Sequence, residues 1–336
     1  MSHTGRQSFI FEQPPLVAAY ASTVGPKEGK GPLAKWFDCI LPDDLLGQKS
    51  WEKAESEMLR RCALDAVSRA GMTDSQVQAF MAGDLNAQII ASGFCARELS
   101  TPFLGLYGAC STFVESIVTG AALISGGMLQ NALCGASSHF CTAERQFRTP
   151  LEMGTQRTPS AQWTATAAGC VVLKNAAGSG IRVASGTLGR VIDYRIKDAN
   201  HMGAAMAPAV RDTIRAHFED MGFGAEHYDL VVTGDLGWIG RELPIELLDE
   251  CGAHVPPEKL VDCGASLFFK EQDPHAGGSG CGCVASVGCS WIMKRMAAGE
   301  LRRVLLVGSG AMLSTTSGLQ GESIPSIAYA AGLEMM

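Results

Sequence analysis

Two short stretches carry the residue types that nucleophilic or anion-binding chemistry needs. In Gly105-Leu-Tyr-Gly108-Ala-Cys110-Ser-Thr112, small residues crowd a cysteine where a loop turns into an apolar, helix-patterned run. A helix N-terminus offers free N–H groups and partial positive charge, and both favour a thiolate. Cys110 is therefore a candidate nucleophile or part of an anion site; the alternative is a small core cysteine at a tight turn. In Asp273-Pro-His275-Ala-Gly-Gly278-Ser-Gly280, a histidine precedes a glycine run that opens a second helix. Glycines there let backbone approach a ligand closely. The alternative is a loop histidine beside packing glycines. A dinucleotide loop is poorly supported, because no strand directly precedes the glycines and no acidic residue follows about 20 positions on.

The elements that must position these stretches can be read from periodicity. Leu16–Tyr20 reads as a first strand. Trp51–Ala70 reads as an amphipathic helix, with Met58, Leu59, Cys62, Ala63 and Val67 on one face. Gln76–Ala82 reads as a buried strand and Cys110–Ile124 as a central helix, apolar all round. Strands over Leu129–Gly135 and Ala168–Leu173 follow. A second set consists of a strand at Arg182–Leu188, a helix at Ala207–Met221, a strand at Tyr228–Thr233 and a helix at Glu242–Cys251. It ends with a helix at Gly282–Ala297, a strand at Arg303–Gly308 and a last strand at Ser326–Ala330. The two sets rhyme. Gly108-Ala-Cys110-Ser and Gly280-Cys-Gly282-Cys each open a helix that runs to a glycine and then a strand, at the same spacing. Equal spacing predicts two related α/β halves, with parallel sheets covered by helices and no linker between them.

Composition bounds the function. The chain has 336 residues, 46% of them hydrophobic and 18% charged, which supports a large packed core and excludes disorder. The net charge of −7 gives no basic excess for nucleic acid. Twelve cysteines are scattered through apolar segments, as in a reducing compartment, rather than spaced as a disulfide framework. Residues 1–15 lack the apolar core of a signal peptide, and the most apolar run, Ile117–Leu133, is broken by Gly120, Gly126 and Gln130. A soluble, cytosol-facing protein is expected. A metal site from Cys263, Cys281, Cys283 and Cys289 is disfavoured by the Cys-x-Cys spacing. Arg145, Arg148 and Arg157 form a basic run, either a pocket mouth or solvated loop charge, and His3, His217, His227 and His254 read as surface.

These motifs together resemble the thiolase and ketoacyl synthase superfamily: Gly-Ala-Cys-Ser at a buried helix start, a downstream His-x-x-Gly-x-Gly, and a strand ending in Gly308-Ser-Gly310. The resemblance spans roughly residues 15–333. It implies a five-layered αβαβα core of two duplicated βαβαβαββ halves, residues 1–187 with Cys110 and residues 188–336 with His275, usually as a homodimer. One branch is closer. Asp198-Ala-Asn200-His201-Met, Thr233-Gly-Asp-Leu-Gly237, Gly135-Ala-Ser-Ser138-His139-Phe and Asp273-Pro-His-Ala-Gly-Gly-Ser-Gly-Cys-Gly-Cys are similar to the stage V sporulation protein AD family. That resemblance implies binding of dipicolinic acid during spore formation, beside integral membrane partners of a channel complex, at the cytosol-derived face of the inner spore membrane, with no cofactor.

The catalytic constellation looks incomplete. Thiolases place a second cysteine where this chain has Leu306, and ketosynthases place a histidine where the best match is Thr233-Gly234-Asp235. Cys110 and His275 remain, and a constellation that acts as a unit loses orders of magnitude with one member. The expectation is a retained pocket in which Cys110, Ser138, His139, Asn200, His201 and His275 meet a flat aromatic dianion. Two alternatives stand beside it: an active acyltransferase with Cys110 as nucleophile and His275 as base, and an assembly scaffold that binds no ligand.

Overall fold

The computed structural model describes residues 2–147 and 157–336. Ten of its strands fall into two matching sets. The first contains β1 (Leu16–Val24), β2 (Phe80–Gly83), β3 (Phe103–Gly105), β4 (Asn131–Ser138) and β5 (Ala167–Lys174). The second contains β6 (Ile181–Thr187), β7 (Leu230–Thr233), β8 (Leu260–Asp262), β9 (Arg303–Ala311) and β10 (Ser326–Met335). Their spatial orders are β3-β2-β4-β5-β1 and β8-β7-β9-β10-β6. In each set the second strand runs parallel to the third and fourth, and the fifth runs antiparallel to the fourth and first. One order and one set of directions, used twice, is the topology of a duplicated unit. The sets touch where β1 meets β6, at Leu16 and Arg182.

Strand alternation sorts the side chains into layers. Phe80 and Ala82 of β2 face α1 (Trp51–Arg69), whereas Met81 between them faces the middle of the molecule. Leu305 and Val307 of β9 face α3 (Met202–Met221), whereas Val304 and Leu306 face inward. The middle layer is α2 (Thr112–Ser125) together with α4 (Cys281–Val287), which continues through a π-helical turn at Gly288–Ile292 into Met293–Ala297. The result is helix, sheet, helix pair, sheet, helix, as the resemblance implies. Strands buried on both faces read as unbroken apolar runs, such as Val171-Val172-Leu173.

Several expectations shift. α3 starts at Met202 rather than Ala207, because the His201 ring accepts the Ala204 N–H as an N-cap and the helix absorbs Pro208. α2 starts at Thr112, which leaves Cys110 in the preceding turn. β6 pairs with β10, so Ile181–Thr187 opens the second half instead of closing the first. His217 is buried, not at the surface; its ring nitrogens bond Thr187 Oγ1 at 2.7 Å and Tyr228 Oη at 2.6 Å. The short edge strands β3 and β8, and the helices Ile90–Arg97 and Phe140–Phe147, escape periodicity altogether.

The central helices press directly on backbone. A methyl group on Gly169 of β5 would lie 2.2 Å from the Ala285 carbonyl oxygen of α4. Gly169→Ala must push helix from sheet, so a loss of about 1–3 kcal/mol is expected from overpacking, read as a lower midpoint in chemical denaturation.

Candidate functional site

The Cys110 turn is built from local bonds. Ala109 takes φ of +51°, an uncommon conformation for a residue with a side chain. Thr112 Oγ1 holds it by accepting the Gly108 N–H at 3.0 Å and donating to the Ala109 carbonyl at 2.7 Å. Ser111 Oγ adds a bond to the Gly108 carbonyl at 2.6 Å. The end of β9 passes so close that a side chain on Gly310 would strike the Gly108 carbonyl, which explains the glycine of Gly308-Ser-Gly310.

A carboxylate meets Cys110. Asp235 follows β7 and is fully buried. Its Oδ2 accepts the Gly280 N–H at 2.7 Å and the Ser279 hydroxyl at 2.9 Å, and its Oδ1 accepts the Ser309 hydroxyl at 2.9 Å. The Cys110 thiol lies within electrostatic reach of it. Gly280 has φ of +100°, and a Cβ there would also collide with Ser138, so only glycine can aim this N–H. A second buried acid fixes the loop: Asp262 accepts the N–H groups of Leu236, Gly237 and Ala265, each at 2.9 Å. Gln162 Nε2 ties the Asp235 carbonyl (2.8 Å) to the Gly278 carbonyl (2.6 Å).

The electrostatics oppose a thiolate. Burial, and then the nearby Asp235 charge, push the Cys110 thiol well above its ordinary value. Burial pushes Asp235 itself up to about 6. Cys110 thus faces a buried acid in surroundings that disfavour the thiolate a nucleophile needs.

The other expected residues do not converge on Cys110. His275 lies on a loop, with Nδ1 2.7 Å from the Thr158 carbonyl and Nε2 3.5 Å from Asp273. His139 is buried and used on both nitrogens, by the Asp44 carbonyl at 2.7 Å and the Cys141 N–H at 3.1 Å. Ser138 supports the Gly280 turn from below, donating to the Ala165 carbonyl and accepting the Gly282 N–H. His201 caps α3, and Asn200 folds onto Asp198. Arg145 pairs with Glu52 on α1, and Arg148 lies outside the described residues. Cys281 and Cys283 donate to the carbonyls of Ser137 and Gly234. The sequence reading names Asp235 only within Thr233-Gly234-Asp235 and does not place it beside Cys110.

A cleft of about 490 Å³ opens beside this turn, lined by Ala87–Ile89, Tyr107, Gln146 and Leu313–Thr316. Tyr107 links the two, since its hydroxyl lies within electrostatic reach of Cys110 and Cys281. Among the described residues the lining offers amides, hydroxyls and apolar surface but no charged side chain.

Comparison with known proteins fits this geometry. The model of the stage V sporulation protein AD family matches residues 5–334. Stage V sporulation protein AD of Bacillus subtilis (strain 168) is 42% identical over 329 residues, spanning 98% of this chain and 97% of that protein. The chain belongs to the stage V sporulation protein AD family. Solved structures place this sporulation family on the thiolase-like fold. 3-Oxoacyl-(acyl carrier protein) synthase III of Pseudomonas aeruginosa PAO1 superposes with a TM-score of 0.58 at 16% identity, covering 96% of this chain and 98% of that one. A point variant of Xanthomonas campestris OleA gives 0.62 at 14% identity, covering 97% and 98%. Among the described residues, no helix is long and apolar enough to cross a membrane.

Two measurements follow from the buried acids. Asp235→Asn removes the charge facing the thiol, so Cys110 should alkylate several-fold faster with iodoacetamide at mildly alkaline pH, read by mass spectrometry. Glu55 is buried against Asp84, and burial followed by that neighbouring charge pushes it from 4.5 up to about 8. Between these values the folded protein keeps a proton that the unfolded chain has released, so stability falls as pH rises. The melting temperature should be higher near pH 6 than near pH 8.5, and Glu55→Gln should flatten that slope.

Proposed function

We propose that this protein binds dipicolinic acid at a thiolase-type site that no longer catalyses acyl transfer. In this reading it works as a peripheral component of sporulation and germination machinery, docked on integral membrane proteins of the same channel complex at the cytosolic side of the forespore inner membrane. The observation that carries the reading is the Asp235 carboxylate against the Cys110 thiol. Claisen chemistry needs a thiolate, a proton carrier and an oxyanion hole. Here the helix-terminal Gly280 N–H, a donor of the kind that would stabilise an oxyanion, is taken by the protein's own carboxylate. The neutral cleft beside Tyr107 offers a slot for a flat ring. Membership of the sporulation family supplies the biological setting.

The homodimer belongs to the same proposal. β3 is an edge strand with every residue exposed, including Phe103 at 37% and Leu104 at 42%. An apolar, unpaired edge invites a second strand. Leu104→Lys should shift the protein from dimer to monomer in light scattering, and a wild-type monomer would remove this part of the proposal.

Calorimetric titration with dipicolinic acid tests the main reading. Saturable one-site binding is expected, weakened by Cys110→Trp, which fills the site. A flat trace with folded wild-type protein, together with an acyl adduct on Cys110 after incubation with acyl-CoA, would replace it with acyl transfer.

A further inference from the structure

The turn from Asp84 to Ile89 supplies one wall of the cleft beside Tyr107, and its backbone is held in an unusual way. It follows β2 and leads into the helix Ile90–Arg97. Ala87, Gln88 and Ile89 line the cleft. Gln88 and Ile89 take φ of +62° and +50°. Two consecutive left-handed residues with side chains are uncommon, and a β-branched one is an outlier. Such conformations persist only where their surroundings hold them, and they cluster at elements that switch.

Side chains hold this turn. The Ala87 N–H donates to Gln146 Oε1 at 2.7 Å, and Gln146 Nε2 donates to the Leu85 carbonyl at 3.3 Å. Asp84 accepts the Asn86 N–H at 2.9 Å, and the Ser92 N–H and hydroxyl at 2.7 Å each. The Asn86 side chain reaches α1, where its Nδ2 donates to Glu55 Oε2 at 2.9 Å. Glu55 also accepts from Thr142 Oγ1 at 2.9 Å and from Ser137 Oγ at 3.2 Å. One carboxyl on α1 thus gathers the turn, β4 and the helix Phe140–Phe147 that carries Gln146.

Glu55 and Asp84 are both fully buried. Among the described residues no Lys, Arg or His forms an ion pair with either. The titratable groups that face them from the packed elements are Cys95 on the helix Ile90–Arg97, Tyr107 before α2 and Cys281 on α4. Burial pushes each of these above its ordinary value, so all three stay neutral. A second negative charge here has no counterion, and two like charges in a dry interior repel strongly. α1 is packed into the core along its length, whereas the turn is exposed at Ala87 and Gln88, so the turn is the part that yields. We propose that the Asp84–Ile89 turn is a proton-operated gate on the cleft, latched to α1 while Glu55 keeps its proton and released when Glu55 ionises. Asn86 transmits the event, because its side chain touches Glu55 and its backbone leads directly into the cleft wall. The proposal rests on the binding reading above only for the ligand that the cleft takes. Its sign follows from proton binding: the latched carboxyl holds its proton from the ordinary 4.5 up to about 8, so the latch weakens as pH rises through that interval.

Hydrogen exchange on the full chain near pH 6 and near pH 8, read by mass spectrometry and divided by the intrinsic exchange rates, tests this. In the wild type, opening of peptides covering residues 84–92 is expected to rise about tenfold or more across this interval, while β9 stays protected. Glu55→Gln keeps the shape without the charge and is expected to abolish the rise. Asp84→Asn removes the repelling neighbour and is expected to reduce it, which keeps the test decisive if Glu55→Gln does not fold. No rise in the wild type, or a rise of wild-type size in either folded variant, would overturn the gate. Acceleration shared equally by β9 would mean global unfolding and would overturn it as well. Dipicolinate at a concentration that calorimetry shows to be saturating is expected to slow exchange of residues 84–92 about threefold or more near pH 8, since each of two linked equilibria shifts the other. Saturation without slowing would overturn the link between gate and cleft. A flat calorimetric trace beside an intact, Glu55-dependent rise would uphold the gate and overturn the binding reading.

Discussion

A buried carboxylate with no cation beside it must be satisfied by dipoles alone, and the arrangement around Cys110 follows from that demand at Asp235. Its donors come from distant parts of the chain, Ser279 and Gly280 at the opening of α4 and Ser309 at the end of β9, and the Cys110 thiol before α2 lies within electrostatic reach. The carboxylate therefore joins the first half of the molecule to the second. Glycines at 280 and 310 are needed because backbone must come within contact distance of this point. Asp262 and Gln162 then brace the loop that presents it. A group tied this tightly is a poor proton shuttle and a good structural post. The neighbouring thiol keeps its proton for the same reason.

The duplication explains where such posts occur. Gly83-Asp84-Leu85 and Gly234-Asp235-Leu236 follow equivalent strands, β2 and β7, so both halves end their second strand on a buried acid. Each acid reaches the opening of the helix contributed by the other half: Asp235 meets Cys110, and Asp84 lies within electrostatic reach of Cys281. The environments have diverged. Asp235 has hydroxyl and amide donors, whereas Asp84 shares its surroundings with Glu55 and is bonded by Ser92 and the Asn86 N–H. Burial first, and then the charge of Asp84 beside it, makes Glu55 hold its proton into the neutral range.

Much of this was legible in the residues. The glycine-opened helices, their equal spacing to the next strand and Gly308-Ser-Gly310 all mark places where backbone approaches backbone, and such places leave glycines behind. Apolar runs located the inner strands because both faces are buried. Residues with ordinary local roles were harder to read. Asp235 at a strand end looks like a turn residue, and only the repeated Gly-Asp-Leu in the duplicate frame singles it out. His139 and His201 look like ligand groups but serve as a satisfied core residue and a helix cap. β3 and β8 have three residues each, too few for any period to register. Lys27 and Arg157 stand far apart in sequence and meet only because Trp163 lies between the elements that carry them.

The distribution of charge is the remaining constraint on what the fold can hold. Glu28, Glu55, Asp84, Asp235 and Asp262 are all buried, and each accepts hydrogen bonds from neutral donors. The interior around the old nucleophile is thus acidic in composition and held near neutrality by raised affinity for protons.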